Sequence, residues 1–102
     1  MTETTIMKIH NMVEVYEQLI TLLKETNDAR LTDFIESTVK SLSQLKQMLA
    51  VEINPKIGRE MLKGIRQGLR ELPELLASIT PELSTKLVAE FEIRVGRKLS
   101  NL

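Results

Sequence analysis

At 102 residues, with 42% apolar and 27% charged residues and a formal net charge of zero, the chain reads as one domain with a modest core. It has no cysteine, which excludes disulfides, thiolate metal sites and cysteine nucleophiles. Tyr16, Phe34 and Phe91 are its only aromatics, too few for base-stacking platforms, and zero net charge gives no global field for nucleic acid. The zero conceals a gradient: residues 1–53 carry five basic and eight acidic side chains, residues 54–102 nine and six. No stretch approaches the ~18 apolar residues of a spanning helix, and residues 1–10 lack a signal-peptide run. The expectation is a cytoplasmic protein, with a peripheral membrane contact left open.

A first helix is expected over 5–26. Ile6, Ile9, Val13, Tyr16, Ile20 and Leu23 recur at three- and four-residue steps, with Met12 and Leu19 beside them. The breadth of that stripe favours a bundle core over a coiled coil. Thr26-Asn27-Asp28 supplies turn and capping chemistry. A second helix, 29–51, follows on Leu31, Ile35, Thr38, Leu42, Leu45 and Leu49, and the short connection predicts an antiparallel hairpin. Ser37, Thr38, Ser41 and Ser43 lower its intrinsic helicity, so packing must hold it.

The third helix, 55–72, is the element about which the rest is expected to be organised. Asn54 suits the N-cap and Pro55 the first helical position. Ile57, Met61, Leu62, Ile65, Leu69 and Leu72 form a broad apolar face, and Lys56, Arg59, Lys63, Arg66 and Arg70 a basic line on the opposite side. Gly58, Gly64 and Gly68 interrupt the helix. Gly58 and Gly68 fall on the apolar side, where a close backbone approach would explain them. Pro73 must stop or kink the chain, with a short extra turn over 74–79. Thr80-Pro81 repeats the cap-then-proline signal and opens a last helix, 81–96, through Leu83, Leu87, Val88 and Phe91. Residues 91–95 alternate as a strand would, but no second strand exists to pair with them. They are therefore read as helix, ending near Gly96 with Arg94, Arg97 and Lys98 against its dipole.

The fold class is thus all-α, an antiparallel four-helix bundle in a single domain spanning 1–102. Ile9, Val13, Tyr16, Ile20, Leu42, Leu45, Ile65, Leu69, Leu87 and Phe91 should be largely buried.

Chemistry is sparse. His10 is the only histidine and reads as a surface residue; Glu14 with Glu17, and Asp33 with Glu36, are ordinary surface carboxylate pairs. The Glu-x-x-His spacing of a bundle metal site is absent, and no glycine-rich phosphate loop lies between a strand and a helix. No catalytic residue, metal ligand or cofactor is expected, and the chain is not read as an enzyme. The basic line is the one candidate binding feature: Lys56, Arg59, Lys63, Arg66 and Arg70 could meet phosphates, anionic headgroups or an acidic partner, or stand as a solvated face. Nucleic acid is the weakest of these.

The order of elements carries a family likeness. After a helical hairpin, Ile53-Asn54-Pro55-Lys56-Ile57-Gly58-Arg59-Glu60-Met61-Leu62 opens a third helix. Ile79-Thr80-Pro81-Glu82-Leu83-Ser84-Thr85-Lys86-Leu87 and Ile93-Arg94-Val95-Gly96-Arg97 follow. This resembles the immunity proteins for pediocin-like (class IIa) bacteriocins, the enterocin A immunity family. The resemblance implies a cytoplasmic antiparallel four-helix bundle that protects a bacteriocin-producing cell from within. It implies action on the captured membrane receptor, a permease of the mannose phosphotransferase type, with specificity in residues 73–102. The competing expectation is a small helical adaptor or regulator acting by dimerisation or by capture of a partner helix. A monomer and a homodimer are both compatible with the sequence.

Overall fold

The structure is a computed structural model that describes residues 3–50 and 54–101. Their regular structure is entirely helical. The five α-helices are α1 (Glu3–Glu25), α2 (Thr32–Leu49), α3 (Pro55–Arg70), α4 (Leu72–Ile79) and α5 (Ser84–Val95), with 3-10 turns at Ala29–Leu31 and Leu99–Asn101.

The central element is α1, not the third helix. It packs against α2, α3 and α5. The reason lies in the width of its stripe: Ile9, Met12, Val13, Val15, Leu19, Ile20, Leu22 and Leu23 are all buried. Val15 and Leu22 broaden the expected seam enough to serve three neighbours. Each such side chain contributes roughly 1.5–3 kcal/mol by leaving water.

The α1–α2 connection is built as its residues suggest. Asn27 takes the left-handed conformation at φ 52°. The Thr26 hydroxyl donates to the Leu23 carbonyl at 2.7 Å and accepts from the Asp28 N–H at 3.2 Å. The Asp28 carboxylate then accepts the Arg30 N–H at 2.9 Å, which caps a 3-10 turn before α2 proper. Lys46 Nζ lies 3.3 Å from Glu17 Oε1, so the two helices run back along one another. The expected end of the second helix at Val51 lies outside the described residues.

Asn54 caps α3 by accepting the Lys56 N–H at 2.8 Å, with Pro55 in the first turn. That helix stops at Arg70, and Glu71 ends α3 while heading α4. Pro73 carries no N–H and so cannot prolong α3, but the first turn of a new helix needs none there. The short turn expected over 74–79 is accordingly an eight-residue helix with Leu72 and Leu76 buried, and the count is five rather than four.

Thr80 does not cap α5. Its hydroxyl donates back to the Leu76 carbonyl at 3.2 Å, and its own carbonyl receives the Leu83 and Ser84 N–H groups, each at 2.9 Å. That hydrogen-bonded turn holds Pro81, so α5 begins at Ser84 instead of 81. It closes on Gly96 at φ 72°, and residues 91–95 are helical.

Of the expected core, Ile9, Val13, Ile20, Leu42, Leu45, Leu69, Leu87 and Phe91 are buried; Tyr16 and Ile65 are half-buried against them. Two arginines tie the α1–α2 end to the C-terminal helices. Arg30 pairs with Asp28 and Glu82, and Arg94 with Glu25 and Glu90. No helix among the described residues is long and apolar enough to cross a membrane.

Candidate functional site

The basic line of α3 opens onto a groove between α3 and the first turns of α1. Thr5 and Lys8 line one side; Arg59, Lys63, Arg66, Gln67 and Arg70 line the other, with Leu62 between them, around about 420 Å³. Lys56, Arg59, Lys63 and Arg70 are exposed and Arg66 is half-buried. Lys56 stands outside the groove lining, so the structure gathers four of the five expected cations and adds Lys8.

Helical geometry explains the arrangement. At about 100° per residue, Arg66 lies only ~40° around α3 from Leu62, and Arg59 ~60°, whereas Lys56 lies ~120° away. Leu62 is 5% exposed. The basic line therefore borders the buried stripe instead of opposing it, and α1 forms the facing wall. Ile57 falls at the far edge of the apolar stripe, ~140° from Leu62. It is 51% exposed, contrary to the expectation that it shares the buried face.

None of Lys8, Arg59, Lys63, Arg66 and Arg70 forms an ion pair among the described residues, although Arg30, Lys46 and Arg94 all do. The Nε of Arg66 is sealed from solvent and has no hydrogen-bond partner among the described residues. Lys8 was not visible as a site residue in the sequence. Its only signal is a cation beside buried Ile9, and nothing in α1's own periodicity pairs it with α3.

The glycines do not all serve packing. Gly58 is buried, but Gly64 and Gly68 are exposed, and a Cβ at either would meet nothing within 4 Å. The close backbone approach expected at Gly68 is absent. Gly64 instead borders a second groove, between α2 and α3, lined by Tyr16, Ser41, Gln44, Leu45, Met48, Met61 and Ile65. Burial pushes the Tyr16 hydroxyl's pKa above its ordinary value. A third groove runs between α4 and α5 along Ala77, Ser84, Val88 and Ala89, with Glu74 and Glu92 at its rim.

Nucleophile and acid–base geometry is thin. His10, Glu14, Asp33 and Glu36 are exposed, and Glu17 is engaged by Lys46. Among the described residues no three His, Cys, Asp or Glu side chains gather where they could hold a metal ion. The chain matches no protein-family model, no curated protein and no solved structure.

Proposed function

We propose that the protein works by binding, without catalysis, as a cytoplasmic immunity protein of the pediocin-like bacteriocin type. In this reading α3 and α4 count as one kinked rod, so α1, α2, α3–α4 and α5 make an antiparallel four-helix bundle. The protein would act from inside the cell on a permease receptor of the mannose phosphotransferase type that has captured the bacteriocin. One observation carries the reading beyond the sequence likeness: the α1–α3 groove holds five cations with no described acidic partner. Like-charge repulsion on such a surface costs only a few tenths of a kcal/mol per pair, so stability alone does not demand neutralisation. An unneutralised one suits a peripheral contact with anionic headgroups beside a membrane receptor. The α4–α5 groove lies within residues 73–102, where the family likeness places specificity.

Expression in a strain sensitive to class IIa bacteriocins tests the reading. Resistance to at least one of them is expected, with the bacteriocin left active in the medium. Good expression without resistance across a broad panel would overturn it. The adaptor reading would then take its place, and the apolar α2–α3 groove beside exposed Gly64 is the observation that favours that alternative.

A further inference from the structure

The α1–α3 groove has the features of a discrete ligand site, not only of a charged face. Its cations come from two helices: Lys8 from α1, and Arg59, Lys63, Arg66 and Arg70 from α3. No acidic side chain among the described residues lines it. Arg66 stands half-buried in its wall, and the Arg66 Nε has no hydrogen-bond partner among the described residues. The first turns of α1 border the same space, so the positive end of that helix dipole adds to the field.

We infer that this groove binds a polyanion that carries two or three phosphate groups close together. The cations recur along α3 at steps of four, three and four residues, a rise of about 4.5–6 Å each. Neighbouring phosphates offer several acceptor oxygens to these cations, and arginine forks take phosphate two bonds at a time. An acidic helix would need an apolar floor, and Leu62 is the one large apolar side chain in the lining. An extended acidic strand would need backbone partners, and the lining presents only Thr5 and Gln67 as neutral polar side chains. Nucleic acid would need a stacking surface, and no aromatic residue lines the groove. The same chemistry could be carried by a free oligophosphate or by a phosphorylated lipid headgroup.

The inference concerns the groove used in the functional proposal but does not stand or fall with the bacteriocin. A protein that conferred resistance yet failed to bind would lose this inference alone; one that bound without conferring resistance would lose the immunity reading alone. The test is calorimetric titration of the full chain with inorganic tripolyphosphate at moderate salt. A parallel arm co-sediments it with neutral vesicles carrying phosphatidylinositol 4-phosphate. Saturable one-to-one binding is expected, weakened at least tenfold by Lys8→Gln and by Arg66→Met. Arg97→Gln, a cation outside the groove, should change it less than twofold. Vesicle binding that tripolyphosphate displaces only in large excess assigns the headgroup as source; tripolyphosphate binding without vesicle binding assigns the free oligophosphate. Melting temperatures accompany each variant, and Lys8, exposed and away from the core, carries the test if Arg66→Met misfolds. Absence of saturable binding in both arms, or equal losses for Lys8→Gln and Arg97→Gln, would overturn the inference.

Discussion

Arg94, in the last turn of α5, pairs with Glu25 at the end of α1, 69 residues earlier in the chain; its Nη2 also lies 3.2 Å from Glu25 Oε1. The guanidinium hydrogen bond holds the Glu25 carboxyl below its ordinary value of 4.5, against a smaller opposing effect of burial. Arg30 does the same to Asp28 and Glu82. A carboxyl depressed in the folded state adds stability above its unfolded pKa. That contribution is lost as pH falls through the folded value. The melting temperature should therefore drop below about pH 4.5 as these pairs are protonated. Arg94→Gln and Arg30→Gln should each shrink the drop between pH 7 and pH 3. Glu25 and Glu82 are exposed, so the variants should differ little from the parent at pH 7 and high salt. An unchanged acid response in Arg94→Gln would mean that the pair does not form in solution.

The core can be tested by contrast. Leu45 is buried and Ile57 is half in water, although both sit on apolar helical stripes. Leu45→Ala should cost about 2–5 kcal/mol in a denaturant titration. Ile57→Ala should stay within about 0.5 kcal/mol of the parent. A reversal of those two results would mean that α3 is rotated about its axis from the orientation described.

What was legible in the sequence follows from which signals are local. The cap at Asn54, the turn at 26–28 and the end at Gly96 each depend on residues within one or two turns, and all three form as expected. Thr80-Pro81 has the same local grammar as Asn54-Pro55 yet behaves differently. The Leu76 carbonyl at the end of α4 competes for the Thr80 hydroxyl, and that competition is settled by where α4 ends. The centrality of α1 was hidden for a related reason. A stripe's width shows how much can be buried, but not how many neighbours share it. The basic line was readable as five cations at helical spacing. The groove was not, because Lys8 stands on another helix, 51 residues before Arg59 in the chain.

The glycines give a prediction of opposite signs. Gly64 and Gly68 lie in the interior of α3 with open space where a Cβ would stand. Gly64→Ala and Gly68→Ala should each stabilise the protein by about 1 kcal/mol, as helix propensity alone dictates. Gly96 has equal room but a φ of 72°, so Gly96→Ala should destabilise by about 1 kcal/mol through backbone strain. Thermal melts of the three variants read this directly. Destabilisation by Gly64→Ala would show that α2 and α3 close together more tightly in solution.

Stability and binding should come apart on the basic line. Arg59, Lys63 and Arg66 make no described ion pair, and two of the three are exposed. Replacing all three with glutamine removes like-charge repulsion at three- and four-residue spacing and breaks no described contact between charges. Repulsion at that spacing costs only a few tenths of a kcal/mol per pair, so the melting temperature should stay level or rise slightly. Association with vesicles rich in anionic lipid should fall by ~1 kcal/mol for each charge removed. The Debye length shortens from ~30 Å at 0.01 M salt to ~8 Å at 0.15 M. The gap between parent and variant should therefore narrow as salt rises. Co-sedimentation of both proteins at those two salt concentrations is the measurement. Equal binding by both would reduce the line to a solvated face. A marked loss of stability in the variant would mean that these side chains carry contacts in solution beyond those described.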